Sequence, residues 1–156
     1  MIIRKDALVK AANFCAYQER TQAEVREKLK SLDVEGDEAD EIIVYLIEEN
    51  YLNEGRFAKI FAGSKFRVKR WGRQKILFEL KARKLSDHSI REGLAEIDDD
   101  DYMETLKTII EKKKHELRTE KQPLILKQKL ARYAMSKGFE GDLVWDIINK
   151  IVSSPK

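Results

Sequence analysis

The sequence has one cysteine, Cys15, and two histidines, His88 and His115. A single thiol excludes an intramolecular disulfide and a thiolate-rich zinc site. Neither histidine has a cysteine nearby or the HExxH spacing that sets metal ligands on one helical face, so no metal centre is expected. The run Asp98–Asp101 lacks the spaced oxygens and the glycine of a calcium loop, and reads as a solvated linker and helix cap. There is no glycine-rich phosphate loop and no GxSxG elbow. Nothing assembles a nucleophile, a base or a cofactor cradle, so the chain is expected to have no catalytic residue, no cofactor and no enzymatic activity. Cys15 lies on an apolar helical face and reads as core. Two prolines and seven glycines leave little of the chain for tight turns or linkers. Long apolar stretches are also missing. The longest is Ile42 to Ile47, far short of a membrane span. The opening MIIRKDALVK meets charge at Arg4 before any apolar signal core forms. These absences predict a soluble protein of the reducing cytoplasm.

What the sequence does have is helix. Charged residues make up 38% of it, and segments rich in Ala, Leu, Lys, Glu and Arg favour the α-helix. Apolar residues recur at helical spacing. Leu8, Ala11, Ala12 and Cys15 share a face. Thr21 and Glu24 form a capping box ahead of Val25, Leu29 and Leu32. Ile42, Ile43, Leu46 and Ile47 stripe a third helix. A second round follows, with Phe57, Phe61 and Val68 facing inward on a helix to about Arg70. Gly72 then breaks the chain, and Ile76, Leu77 and Leu80 stripe the next helix. Ser86 caps another that carries Ile90, Leu94 and Ile97. Asp101, with Glu104 three residues on, is the expected cap of the helix after that. A third round carries Leu106, Ile109, Ile110 and Leu117, then Leu126, Leu130 and Ala134. Gly138 is the stop signal, and Val144, Ile147, Ile148 and Ile151 mark the last helix.

The rounds align. Val25 and Leu29 match Ile76 and Leu80, then Leu126 and Leu130, with a period near 50 residues. Ile43 and Ile47 match Ile90 and Leu94, then Val144 and Ile148. This predicts an all-α chain of three tandem three-helix repeats, residues 1–53, 54–100 and 101–156. Each unit is too small to bury much apolar surface alone, so stacking is expected to give an elongated, curved array.

Charge is uneven along these repeats. From Ser31 to Gly55 there is no Lys or Arg and there are nine acids; from Arg56 to Lys84 eleven Lys and Arg face one acid, Glu79. The sign reverses again to Glu104, then returns to basic as far as Arg132. Such blocks suit an anionic partner. The expected binding residues are Lys65, Arg67, Lys69, Arg70, Arg73 and Lys75 in the second repeat. In the third they are Lys112, Lys113, Lys114, Arg118, Lys127, Lys129 and Arg132. A helix end, a turn and a helix start packed with cations can follow a phosphate backbone or fit an acidic groove. Trp71 and Trp145 read as packing residues, Trp71 with basic neighbours.

The stretch from Tyr51 to Ser86 carries a resemblance. Leu52-Asn53-Glu54-Gly55-Arg56-Phe57-Ala58, the basic Lys65–Arg70, the turn Trp71-Gly72 and the helix Ile76–Leu80 resemble the central signature of the RecX family. Gly55 departs from it, standing where an acidic residue is expected. Glu19, Arg20, Thr21, Glu24 and Leu29 resemble the family's first repeat, and Lys137-Gly138-Phe139 its last. The resemblance spans about residues 7 to 152 and is looser between Asp98 and Leu124. It implies three tandem three-helix repeats. It also implies a monomeric regulator that binds RecA and lies in the groove of the RecA–DNA filament. There it would inhibit filament extension, ATP hydrolysis, strand exchange and co-protease activity, and so act in homologous recombination, DNA repair and the SOS response. Weak direct nucleic-acid binding and no membrane contact are expected. The alternative is a helical DNA-binding protein that acts without RecA, because a three-helix unit with a basic face can also read DNA.

Overall fold

The computed structural model describes residues 4–152. The reading of the extreme N-terminus, and the outer ends of the first and third expected repeats, lie outside the described residues. Within them the chain forms nine helices and no strand: α1 (Lys5–Tyr17), α2 (Gln22–Ser31), α3 (Gly36–Glu48), α4 (Glu54–Lys69), α5 (Arg73–Ala82), α6 (Asp87–Leu94), α7 (Asp99–Glu116), α8 (Pro123–Ser136) and α9 (Gly141–Ile151). They follow one another as three rounds of three.

Local chemistry sets the ends of these helices. Thr21 accepts from the Glu24 backbone N–H at 3.1 Å while the Glu24 carboxylate accepts from the Thr21 N–H, which completes the expected capping box. Ser86 caps α6 by accepting from the Ser89 N–H at 3.1 Å. One cap is corrected. Asp98, not Asp101, caps α7, accepting from the Asp101 N–H at 3.0 Å. Asp99, Asp100 and Asp101 then form the first turn, where carboxylates stabilise the positive end of the helix dipole.

The helices gather into two compact units. The first runs through Phe61 and takes in Leu80–Gly93; the second takes in Ala62–Glu79 and the chain from Leu94 onward. In the first, Ala7, Ala11 and Cys15 of α1 meet Val25 and Leu29 of α2, Ile42 and Leu46 of α3, and Leu52. Each fully buried Leu or Ile contributes about 1.5–3 kcal/mol relative to exposure. Burial pushes the Cys15 thiol above its usual value, which fits a core residue and not a nucleophile. Phe57 stacks on Phe61 at 5.8 Å. Gly93 packs so closely on Ala58 that a β-carbon there would lie 2.7 Å from the Ala58 methyl and carbonyl oxygen.

Arg56 ties this unit together. Its guanidinium pairs with Glu19 and donates to the Asn50 side chain at 3.1 Å and the Asn50 carbonyl at 3.2 Å. The arginine of the RFA stretch thus locks the α1–α2 loop to the chain that enters α4.

The second unit is built on an aromatic column. Phe66 meets Tyr102 at 5.8 Å between ring centroids, and Tyr102 meets Phe139 at 5.0 Å. Around it Ile76, Leu106, Ile110, Leu130, Val144 and Ile148 are fully buried. The inward face expected for α4 is corrected here. Val68 is 73% exposed, whereas Ala62 and Phe66 are buried. The first half of α4 buries Phe57 and Ala58 in the first unit, and the second half turns a different face into the second. A single stripe drawn from the large apolar residues cannot follow that change.

Candidate partner and nucleic-acid interface

Two turns meet in the second unit. The α4–α5 turn holds Arg70, Trp71 and Gly72; the α8–α9 turn holds Lys137, Gly138 and Phe139. Gly72 donates its N–H to the Lys137 carbonyl at 2.7 Å, and Gln74 donates to the Gly138 carbonyl at 3.0 Å. Gly138 has φ +99, and its left-handed backbone closes α8. No side chain fits between the turns. A β-carbon on Gly72 would overlap the Gly138 carbonyl carbon and the Phe139 nitrogen.

This docking gathers cations. Lys75 Nζ lies 4.6 Å and Lys65 Nζ 5.0 Å from the centre of the Trp71 ring, so the half-buried Trp71 is occupied by lysines. Lys137 Nζ donates to the Lys69 carbonyl at 3.1 Å. Burial first, then the charges of Lys75 and Arg70, hold the Lys137 ammonium below the usual lysine value. Arg70 is exposed and has φ 55, a left-handed conformation unusual for arginine. Beside it a cleft of about 320 Å³ is lined by Phe66, Arg67, Arg70, Asp101, Glu104 and Thr105.

Arg73 behaves differently from its neighbours. Its guanidinium pairs with Asp99 at 2.5 Å and Glu140 at 3.3 Å, and lies 3.9 Å from the centre of the Tyr102 ring. Its backbone N–H donates to the Tyr102 hydroxyl at 2.9 Å, and that hydroxyl donates to Glu140. Burial, then the bond to Glu140, push the Tyr102 hydroxyl well above the usual phenol value. The charge of Arg73 is therefore spent inside the unit, holding the starts of α5, α7 and α9 together.

The third-repeat cations expected to bind are mostly tied down. Lys127 is buried and donates to Asn149 at 3.2 Å. Lys114 donates to the Ile151 carbonyl at 3.2 Å, and Arg118 to the His115 carbonyl at 3.1 Å. Lys129 pairs with Glu120, and Lys113 with Glu116, each at 3.4 Å. Lys112 and Arg132 are exposed, and neither has an ion-pair partner among the described residues. In the second repeat Lys69 is exposed, and the Arg67 guanidinium folds back on Gly63. The structure thus brings Arg70 and Lys75 together and adds Lys137. Sequence reasoning noticed Lys137 only as part of a helix-ending motif. Its place beside a glycine at a helix end, well beyond the basic block that closes at Lys84, was the available signal.

Among the described residues no group of His, Cys, Asp and Glu could hold a metal ion, and no helix is long and apolar enough to cross a membrane. His88 pairs with Glu92 at 2.8 Å on the surface.

Comparison with known proteins accounts for the three rounds of helices. Residues 7–46 match the first three-helix domain of RecX, 53–94 the second and 99–148 the third. The chain is 31% identical to the regulatory protein RecX of Clostridium tetani, over 92% of this chain and 66% of that one. It is 29% identical to that of Clostridium perfringens strain 13, over 98% of this chain and 74% of the relative. The chain thus spans about two thirds to three quarters of the length of these relatives. The crystal structure of RecX from Lactobacillus salivarius superposes with a TM-score of 0.83 at 26% identity, covering 95% of this chain and 98% of that one. A second crystal structure of a regulatory protein RecX shares the fold, with a TM-score of 0.79 at 20% identity, over 93% of this chain and 72% of the other. With all three of its helical rounds matched in order, the chain belongs to the RecX family, a family of regulatory proteins and not of enzymes.

Proposed function

We propose that this chain binds RecA and the RecA–DNA filament in the cytoplasm. As a monomer, it restrains filament extension, ATP hydrolysis, strand exchange and co-protease activity. It does so through repeat units 1–53, 54–100 and 101–156. Family membership, with each of the three helical rounds matched, carries the reading. The unneutralised cations at the second and third repeats support it, because a RecA–DNA filament is a polyanion and charge speeds encounter with it. Contact falls to Lys69, Arg70 and Lys75, with Lys112 and Arg132 further along. Several weak contacts along one filament add through effective concentration. A ligand that prefers one filament conformation opposes the changes that turnover requires, in proportion to that preference.

The test is ATP hydrolysis by the cognate RecA on single-stranded DNA, with this chain titrated in. Inhibition below stoichiometric ratios supports the reading and favours blocked growth. Inhibition only near saturation favours coating of the groove. No effect at any ratio, with the chain still binding DNA alone, favours the second reading, a DNA-binding protein that acts without RecA.

A further inference from the structure

Lys137 stands in surroundings unlike those of the paired lysines. It is half-buried where the α8–α9 turn meets the α4–α5 turn, and its Nζ donates to the Lys69 carbonyl at 3.1 Å. Arg70 follows that carbonyl directly in the chain. Lys75 begins against the residue next to Lys137: a β-carbon on Gly138 would meet the Lys75 backbone nitrogen at 2.7 Å. The charges of both reach the Lys137 ammonium. Among the described residues no carboxylate forms an ion pair with Lys137, Lys75 or Arg70, whereas Lys113 takes Glu116, Lys129 takes Glu120 and Lys150 takes Asp146.

An ammonium has no lone pair, so a lysine becomes a nucleophile only on losing its proton. Burial, then the charges of Lys75 and Arg70, hold Lys137 below the usual lysine value and favour that loss. A cationic neighbour is one of the ordinary ways in which a lysine amine is activated. The bond to the Lys69 carbonyl uses an N–H, so the neutral amine keeps it while its lone pair faces elsewhere. The same two cations draw anions to the spot. A carboxylate at this place would do the reverse on both counts, holding the proton on Lys137 and repelling an anionic reagent.

We propose that Lys137 is a site of acylation by acyl phosphates, with Arg70 and Lys75 drawing in the phosphate end of the reagent. The amine nitrogen attacks the acyl carbon and a C–N bond forms. The C–O bond to the phosphate breaks, phosphate leaves with the electron pair, and the nitrogen gives its surplus proton to water. An acyl phosphate is matched to the place because it carries its electrophile and its negative charge on adjoining groups. Lys75 is the charge and not the nucleophile, since its Nζ lies over the Trp71 ring at 4.6 Å, a contact of a cation with a π face. The product fits: the new amide N–H can still donate to the Lys69 carbonyl, and one of the crowded charges is gone. The reaction needs neither RecA nor DNA, so it stands or falls apart from the regulatory reading.

The experiment is incubation of the full chain with acetyl phosphate at mildly alkaline pH, followed by mass spectrometry that reads acetyl occupancy at each lysine over time. Lys137 is expected to be acetylated several-fold faster than Lys112, which is exposed and also has no acid partner among the described residues. Arg70→Gln and Lys75→Gln each slow Lys137 several-fold and leave Lys112 unchanged. Inorganic phosphate added to wild type slows Lys137 and not Lys112, when compared with chloride at equal ionic strength. That arm uses the unaltered chain, so a variant that folds poorly does not decide the question. A rate at Lys137 no higher than at Lys112 overturns the site. So does a Lys137 rate unchanged in both variants, or phosphate that fails to slow Lys137 selectively.

Discussion

Gly72 and Gly138 sit where two turns touch: the space beside Gly72 is filled by the backbone of Gly138 and Phe139, and the space beside Gly138 by Lys75 and the Gly72 carbonyl. Gly72→Ala forces the two turns apart and breaks the 2.7 Å bond to the Lys137 carbonyl. The expected cost is about 1–3 kcal/mol, typical of overpacking, read as a lower thermal midpoint. A Gly72→Ala variant as stable as wild type would mean that the turns slide without cost.

Arg56 heads the stretch that most resembles the family signature, yet its guanidinium is turned inward to Glu19 and Asn50. Arg56→Ala is expected to cost roughly 1.5–3 kcal/mol, the range for hydrogen bonds to charged groups. Urea denaturation measures this. At temperatures where the variant stays folded, RecA inhibition should be retained.

Charge reversal separates neighbours that look alike in sequence. Arg70→Glu should fold as wild type and lose binding. Arg73→Glu puts a third carboxylate beside Asp99 and Glu140, where the arginine now sits at 2.5 and 3.3 Å. It should be markedly destabilised, since removing one partner leaves half-buried charge uncompensated. Circular dichroism melts of the two variants decide this. Equal stability would mean that Arg73 is a surface residue after all.

Tyr102 predicts an alkaline limit. Its hydroxyl keeps its proton in the fold to a higher pH than it would in the unfolded chain. Above about pH 10, the ordinary phenol value, the unfolded state therefore binds fewer protons. Stability contributed by this group is full below that pH and is lost as pH rises toward the folded-state value. Tyr102→Phe should lower stability at neutral pH by about 1–3 kcal/mol, since Glu140 and the Arg73 N–H lose their partner. It should also flatten the fall in stability above pH 10. Denaturant midpoints at pH 7 and at alkaline pH give both quantities.

Leu80 and Leu130 are both fully buried. Alanine at either should cost about 2–5 kcal/mol, with the loss appearing in unfolding midpoints and not in the salt dependence of DNA binding.

Much of the fold was legible because it rests on local rules. The box at Thr21 and Glu24, the cap at Ser86 and the stop at Gly138 each follow from a few neighbouring residues. The period near 50 follows from where Val25, Ile76 and Leu126 recur. The reading failed where one element serves two environments, as when Val68 stayed outside while Ala62 and Phe66 went in. In the site the basic block was legible as a block, but the use of each cation was not. Composition cannot tell Arg70, which has no acid, from Arg73, which has two. Nor can it place Lys137 beside Lys75, because that neighbourhood is created by two turns meeting. Lys127 shows the same limit, being buried on a helix whose sequence presents it as one more solvated lysine.

The middle round of helices has no interior of its own. Phe57 and Ala58 at the start of α4 belong to the first unit, while Ala62 and Phe66 further along belong to the second. α5 crosses in the other direction, with Ile76 in the second unit and Leu80 in the first. The repeats visible in the sequence are therefore not interchangeable modules. Excising or duplicating the middle one would disturb two cores at once, removing Phe57, Ala58 and Leu80 from the first and Ala62, Phe66 and Ile76 from the second.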